Sequence, residues 1–216
     1  MKDKIWYIYG AGGLGRECMD ITTTMFVDGE EKPVLKFLVD EPDIDQLDGF
    51  EVCNFNSYVP ESFVTIAVGE PFLREKLFNK VQNTTLILKS IISNHSFVSE
   101  KCDIKDGSIV APMCSIQNGA KLEKNSLINT MSIVGHDCIV NEHSVLSSKV
   151  NLGGSCIVGK SSFIGMGALI KEKVKIGNSS IVGMSSVVYR DVKDNVIAIG
   201  NPARVAKNND NKSVFK

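Results

Sequence analysis

The chain has 216 residues, with 24 basic and 25 acidic side chains and a formal net charge of −1. This balance excludes the strongly basic surface of a nucleic-acid-binding protein, and no run approaches the ~20 uninterrupted apolar residues of a membrane span. The length suits one large or two modest domains. The opening residues, MKDKIWYIYG, lack a signal-peptide pattern, so we expect a cytoplasmic protein.

Strand and helix patterns alternate over the first ninety residues. The predicted strands are Lys4–Tyr9, Val34–Asp40 and Phe63–Gly69, and the predicted helices are Arg16–Phe26 and Pro71–Val81. Such alternation predicts a small βαβ-type parallel sheet, about half of a Rossmann fold, over residues 1–90.

A glycine-rich loop follows the first predicted strand. Gly10, Gly12 and Gly15 fit the pattern G-x-G-x-x-G, in which glycine lets backbone N–H groups approach a phosphate at a helix N-terminus. Asp40 closes the second strand, where a ribose or base contact is expected. Ninety residues are too few for both halves of a dinucleotide fold, so a mononucleotide or nucleotide-sugar is favoured. A tight turn without a ligand is the alternative interpretation.

A six-residue repeat occupies the second half of the chain. Every sixth residue from Val98 to Val188 is a branched aliphatic, and the residue two positions earlier is always small. The aliphatic column is Val98, Ile104, Val110, Ile116, Leu122, Ile128, Val134, Val140, Leu146, Leu152, Val158, Ile164, Ile170, Ile176, Val182 and Val188. This period predicts a short strand plus a turn, three of which close one triangular coil, with the aliphatic side chains along its axis.

Cysteine and glycine have defined places in this repeat. Cys102, Cys114, Cys138 and Cys156 fall in the small column and are interpreted as packing residues. No CxxC pair occurs, so neither a zinc ribbon nor a disulfide framework is expected. The residue after each aliphatic is often Gly or Asn, which predicts a positive φ at that corner position.

Three histidines are the candidates for chemistry: His95, His136 and His143. Their spacing does not fit a three-histidine zinc site, so no metal is expected. His136 falls at a predicted corner beside Asp137 and should point outward. An exposed imidazole next to a carboxylate suits a general base, and a solvated turn histidine is the alternative interpretation.

Four features together resemble one family over about residues 4–205. They are the glycine loop, the segment from Asn129-Thr130 to Gly135-His136-Asp137, the hexapeptide repeats and the closing Gly200-Asn201-Pro202-Ala203. The family is that of the sialic acid O-acetyltransferases, which are hexapeptide-repeat acyltransferases. It includes N-acetyltransferases for nucleotide-linked 4-amino-4,6-dideoxy sugars, such as UDP-N-acetylbacillosamine precursors. The resemblance implies an α/β half-Rossmann domain (1–90), a left-handed parallel β-helix (91–205), a flexible tail (206–216) and a homotrimer with active sites between subunits.

The resemblance also implies a catalytic set. His136 matches the general base of the family, Asp137 orients or polarises it, and Asn129 lines the same cleft. Some members carry a second histidine nine residues after the base, near the acetyl group, but here that position is Val145. Either His143 substitutes from a shifted position, or main-chain N–H groups alone polarise the thioester carbonyl.

Two sets of binding residues follow from the same resemblance. Acetyl-CoA is expected along the β-helix between subunits, and the nucleotide-sugar is expected at the N-terminal domain. The acetyl-CoA positions are Gly154, Met166 and Met184, with His143 added as the nearest imidazole. The nucleotide-sugar positions are Gly12, Gly13, Leu14 and Asp40.

The predicted reaction is acetyl transfer from acetyl-CoA to the amine of a nucleotide-linked 4-amino-4,6-dideoxy sugar, in surface-polysaccharide or glycan precursor biosynthesis. It proceeds by direct attack, without a covalent enzyme intermediate or a metal. One alternative is O-acetylation of sialic acid or a related sugar hydroxyl. Another, of a different class, is a non-catalytic β-helix scaffold that binds a nucleotide. These residues do not distinguish UDP, GDP and dTDP, and they leave the acyl chain length open.

Overall fold

A six-stranded sheet with two helices forms the N-terminal unit of the computed structural model, which describes residues 4–26 and 31–214. Its elements are β1 (Ile5–Tyr9), α1 (Gly13–Thr24), β2 (Val34–Val39), β3 (Gln46–Leu47), β4 (Phe50–Asn54), β5 (Phe63–Ile66), α2 (Pro71–Gln82) and β6 (Ile87–Leu88), with a 3-10 turn at Phe55–Ser57. The strand order is β3-β4-β2-β1-β5-β6. All neighbours are parallel except β3 and β4.

The central strand β1 is apolar along its whole length because both faces of the sheet are covered. Trp6 and Ile8 point to the α1 side, where they join a core that continues into the β-helix through Ile91 and Ile109. Tyr7 and Tyr9 point to the other side, into a separate core under α2. Helix α1 is therefore held between the sheet and the β-helix.

The hairpin β3–β4 was not predicted from the sequence. Its turn is Asp48-Gly49, and both residues have positive φ (49° and 84°), as a type I′ hairpin turn requires. The Asp-Gly dipeptide was the available signal. The apolar residues Leu47, Phe50 and Val52 flank this turn in alternation with Gln46 and Glu51, but strands of two and five residues are too short to stand out by their pattern.

The repeat region folds into a triangular β-helix of two-residue strands, each parallel to the strand one coil away. The first face contains Ile91–Ile92, Ile109–Val110, Leu127–Ile128, Val145–Leu146, Phe163–Ile164 and Ile181–Val182. The second contains Phe97–Val98, Ser115–Ile116, Ile133–Val134, Asn151–Leu152, Leu169–Ile170 and Val187–Val188. The third contains Asp103–Ile104, Lys121–Leu122, Ile139–Val140, Ile157–Val158 and Lys175–Ile176. This is the left-handed parallel β-helix that was predicted, behind the predicted α/β sheet.

The aliphatic column and the small-residue column predicted from the sequence form the interior of the triangular β-helix. From Val110 onward every aliphatic of the column is buried, and Val98 and Ile104 are partly buried at the open first coil. The small residues do more than fit the corners, because their hydroxyl and thiol groups donate to a carbonyl fifteen residues later. Ser132 bonds Ser147 O at 2.9 Å and Cys138 bonds Gly153 O at 3.1 Å. Serine and cysteine therefore serve here as interchangeable donors between coils.

Glycine is required at the corners for a different reason from the one predicted. Positive φ recurs at every sixth residue from Gly107 to Ser185, which is three residues after each aliphatic rather than one. The glycine directly after the aliphatic is needed because the next coil passes close to it. A Cβ on Gly135 would lie 2.7 Å from Leu152 O, and one on Gly159 would lie 2.5 Å from Asn178 N. The predicted positive φ at these glycines is wrong.

An antiparallel hairpin, Val196–Gly200 and Ala203–Asn208, extends the first face. The segment predicted as a tail, 206–216, begins within its second strand, and Asn209 is buried. Farther on, Val214 N donates to Glu70 Oε2 at 2.9 Å, so the described chain returns to the start of α2. The domain bounds given above stay predictions. Among the described helices, none has the length and apolar content to cross a membrane.

Candidate active site

Three corners connect the faces of the β-helix and position the candidate residues. We call the first corner the one between the first and second faces (residues 129–132, 147–150, 165–168 and 183–186). The second corner joins the second and third faces (135–138 and 153–156), and the third corner joins the third and first faces (123–126, 141–144 and 159–162).

His136 and Asp137 form a hydrogen-bonded pair at the second corner. His136 Nδ1 lies 2.9 Å from Asp137 Oδ2, and the two side chains are 62% and 67% exposed. With the carboxylate as acceptor, Nδ1 carries the hydrogen and Nε2 is left with a free lone pair. Such an imidazole can take up a proton at Nε2 while the carboxylate stabilises the charge that forms.

Two glycines on the flanking coils make room for this pair. A Cβ on Gly154 would lie 2.5 Å from Cε1 and 2.9 Å from Cδ2 of His136, and closer still to Nε2. A Cβ on Gly119 would lie 2.5 Å from Asp137 Oδ1. The imidazole therefore rests on the backbone of Gly154, one coil away, and the sequence signal for this neighbour is the eighteen-residue spacing of His136 and Gly154 within the repeat.

A cavity of about 530 Å³ lies between the start of α1 and the first face of the β-helix. It brings together five of the predicted residues: Gly13, Leu14, Asn129, Met166 and Met184. One wall is apolar and comes from the outward side chains of the first face, and Val214 also lines the cavity. The residues predicted for the nucleotide-sugar and for acetyl-CoA thus border one chamber.

The glycine loop ends earlier than predicted, because α1 begins at Gly13 with Gly12 as its N-cap. Gly10 has φ 122°, and a Cβ there would lie 2.8 Å from Ala67 O, so this glycine is needed for the strand-to-helix turn. Added Cβ atoms at Gly12 and Gly13 would meet nothing within 4 Å. The N–H groups at the start of α1 are therefore open to a ligand.

Asp40 follows β2 and is held by neighbours at the carboxyl edge of the sheet. Its carboxylate accepts hydrogen bonds from Tyr9 Oη and, at 2.6 Å, from Lys80 Nζ. Burial alone would raise the pKa of Asp40, but the bonds from Lys80 and Tyr9 bring that pKa below its ordinary value. Asp40 is a fixed, ionised acceptor outside the cavity.

His143 lies at the third corner, away from both the cavity and His136. It is 2% exposed, Asn125 Nδ2 donates to its Nδ1 at 3.0 Å, and its ring centroid is 4.8 Å from that of Phe78. Burial lowers the pKa of His143 to about 4. The structure places this histidine in the packing between α2 and the β-helix, whereas Val145 lines the cavity.

A buried arginine that the sequence analysis missed joins the two units. Arg74 of α2 is fully buried, and its Nη1 donates to Ile66 O at 2.8 Å and to Val68 O at 2.9 Å. Its Nη2 donates to the main-chain and side-chain oxygens of Asn125, both at 2.8 Å. Burial lowers the pKa of Arg74 to about 10. These bonds fix the end of β5, and with it the cavity residue Gly69, against the β-helix. One arginine in a helix gives no sequence signal for this role.

No group of three or more His, Cys, Asp or Glu side chains is arranged to hold a metal ion in the part of the chain that the structure describes. The exposed His136–Asp137 pair, the open N-terminus of α1 and the β-helix cavity are the combination expected of a hexapeptide-repeat acyltransferase with a nucleotide-binding type of sheet at its N-terminus.

Known proteins with the same organisation were found by comparison. Residues 6–81 match the PglD N-terminal domain family. The acetyltransferase domain of PglB from Neisseria gonorrhoeae FA1090 is 28% identical with a TM-score of 0.86, over 94% of this chain and 100% of that one. PerB from Caulobacter crescentus, in complex with CoA and GDP-perosamine, is 25% identical with a TM-score of 0.84, over 95% and 98%. WeeI from Acinetobacter baumannii AYE is 27% identical with a TM-score of 0.83, over 94% and 99%. These neighbours are sugar acetyltransferases of the hexapeptide-repeat family, which confirms the resemblance predicted from the sequence.

Proposed function

We propose that this protein transfers the acetyl group of acetyl-CoA to the amine of a nucleotide-linked amino sugar. The observation that carries the proposal is the cavity, in which the open start of α1 faces the Met166 and Met184 edge of the β-helix. The structure of the PglB acetyltransferase domain has been solved in complex with acetyl coenzyme A, and that of PerB in complex with CoA and GDP-perosamine. Both ligands therefore suit this combination of sheet and β-helix.

The nucleotide-sugar is assigned to the N-terminal unit. Gly12 and Gly13 offer free N–H groups to a diphosphate at the positive end of the α1 dipole. Leu14 turns into the cavity, next to the attached sugar, and Asp40 accepts a hydrogen bond from the ribose or base.

Acetyl-CoA is assigned to the first corner. Met166 and Met184 lie one coil apart and are 53% and 76% exposed, so their thioethers form an apolar edge suited to an extended pantetheine arm. Gly154 contributes main-chain groups from the second corner of a neighbouring copy. The thioester carbonyl is assigned to the cavity near Asn129 and Val145, away from the buried His143, with main-chain N–H groups of the first corner rather than His143 to polarise it.

The proposed assembly is a homotrimer with the active site between subunits. In one chain His136 and the Met166 edge lie at opposite ends of the second face, so a single copy does not bring them together. The second face exposes the apolar side chains of Phe97 (64%) and Leu169 (47%), which favours burial of this face between copies of the chain. If three copies turn the second face toward a common axis, the second corner of each meets the first corner of the next. The His136 of one copy then approaches the cavity of its neighbour.

The proposed chemistry is a direct aminolysis of the thioester. The nitrogen lone pair attacks the acetyl carbonyl carbon, Nε2 of His136 takes the proton from nitrogen, and Asp137 stabilises the imidazolium. The carbon–sulfur bond then breaks, and the CoA thiolate leaves and receives that proton. The thioester is already activated, so no covalent enzyme intermediate is needed.

The test is thiol release from acetyl-CoA with UDP-, GDP- and dTDP-linked 4-amino sugars and, as the competing activity, sialic acid. We expect release with an amino sugar and a loss of about 10²–10⁴-fold in His136→Ala, the usual contribution of a general base. His95→Ala, which removes an exposed histidine at the entrance of the repeat, is the matched control and should retain activity. Full activity in His136→Ala would disprove the base assignment, and release with sialic acid alone would replace the proposed substrate.

A further inference from the structure

One ionisable side chain lines the cavity among the described residues: Glu17 of α1. The surrounding walls are mainly apolar, with Leu127, Phe163 and Ile181 from the first face, and the amide of Asn129 is one of few other polar groups. Within residues 4–26 and 31–214, Glu17 has neither a hydrogen bond nor an ion pair. An unpaired carboxylate beside apolar walls attracts a cation more strongly than one in open water does.

The position of Glu17 on α1 matches the geometry of a bound nucleotide-sugar. Glu17 follows Gly13 by four residues, so both lie on the same side of the helix, about 5.4 Å apart along its axis. A diphosphate at the Gly12 and Gly13 N–H groups would direct its sugar along this side. One helical turn is comparable with the span of a hexose ring and its glycosidic oxygen, so the far side of the ring reaches Glu17.

We propose that Glu17 receives the amino group of the sugar as an ammonium ion and so selects an amino sugar over its hydroxyl counterpart. This inference rests on the proposed function and makes its substrate class more specific. A hydroxyl group can donate one neutral hydrogen bond to the carboxylate, whereas an ammonium adds a full charge interaction, and such bonds are about twice as strong. Glu17 is thus a specificity-determining residue rather than the base.

The proton balance agrees with this role. The bound ammonium loses one proton to become the attacking amine, and the amine loses a second when the amide forms. One of the two passes to the leaving thiolate, so ammonium and thioester yield amide, thiol and one released proton. His136 of the neighbouring copy handles these transfers, and Glu17 takes no part in them.

The test compares two ligands that differ at one atom. Calorimetry would measure the binding of a nucleotide-linked 4-amino sugar and of the same nucleotide-sugar with a 4-hydroxyl, to the wild-type protein and to Glu17→Gln. We expect the variant to bind the amino sugar about 10- to 100-fold more weakly and the hydroxyl analogue equally well or better, because one negative charge near the diphosphate has gone. Its KM for the amino sugar should rise more than its kcat falls.

The matched control is Asp20→Asn, which removes another exposed carboxylate of α1, about one helical turn beyond Glu17 and outside the cavity. It should bind both ligands as the wild type does. Equal affinities of Glu17→Gln and wild type for the amino sugar, or an equal loss for both ligands, would overturn the inference. Failure of the proposed function gives a different result, since the wild-type protein would then release no thiol with any amino sugar.

Discussion

The support of His136 by Gly154 leads to a sharp prediction for the variant Gly154→Ala. The new Cβ would lie 2.5 Å from Cε1 of His136 and closer to Nε2, whereas non-bonded carbon atoms prefer about 3.5–4.0 Å. The imidazole must therefore retreat by about 1 Å or more. It has room to do so because the side chain is 62% exposed, but its 2.9 Å bond to Asp137 would be strained or lost.

The expected cost falls on catalysis and not on folding. A displacement of 1 Å at a reacting group can cost about 10²-fold, so we expect the thiol-release rate of Gly154→Ala to fall by about 100-fold. The added methyl meets the movable end of a side chain rather than backbone, so the melting temperature should change by less than about 3 °C. Binding of the nucleotide-sugar should be unchanged, because it uses the N-terminal unit.

A neighbouring glycine provides the contrast. In Gly135→Ala the new Cβ would lie 2.7 Å from Leu152 O and 2.9 Å from Gly154 N, so the coils themselves must separate, at a cost of about 1–3 kcal/mol. That variant should melt several degrees lower. Thiol release and thermal melting of the two variants, side by side, test the reasoning. If Gly154→Ala keeps near-normal activity, or loses stability as Gly135→Ala does, the imidazole does not depend on the space above Gly154.

Two further predictions concern buried groups. The pKa of His143 is about 4 in the folded protein and about 6.5 unfolded, so the unfolded chain binds more protons between these values. Stability should be full above about pH 6.5 and fall as the pH drops toward 4. Urea unfolding at pH 7 and pH 5 should show a loss about 2 kcal/mol larger in wild type than in His143→Gln, and equal losses would contradict the burial argument. In Cys138→Ser the hydroxyl should replace the thiol as donor to Gly153 O, with thiol release within about 2-fold of wild type. A loss above tenfold would mean that the thiol has a chemical role.

The β-helix was predictable because its rule is local and repeated. A strand of two residues and a corner of four recur every six positions, so each aliphatic has the same environment as the next one. The same logic assigned Cys138 and Cys156 to packing, and the structure adds that their thiols donate between coils. Corner geometry was less predictable, because a glycine can be needed for close approach as well as for positive φ.

In the N-terminal unit, buried strands and helices were found but the β3–β4 hairpin was missed. β1 and β5 are continuous apolar runs, which report burial on both faces. β4 lies next to the sheet edge and is mostly only partly buried, with Glu51 in an ion pair with Lys36, so its five residues were not recognised as a strand. Its position is fixed by pairing with β2, which is a tertiary contact.

By itself the sequence determined the architecture, the family resemblance and an exposed His136–Asp137 pair, because these depend on residues close together in the chain. Only the tertiary structure decided how they are arranged: the buried contacts of His143, the docking of α2 on the β-helix through Arg74, and the cavity that contains Glu17 near the start of α1. These contacts join residues dozens of positions apart, and their formation depends on how the sheet packs on the first face. Local sequence patterns do not encode that packing, because the burial of an arginine or the exposure of a glutamate depends on which residues of the other unit pack against it.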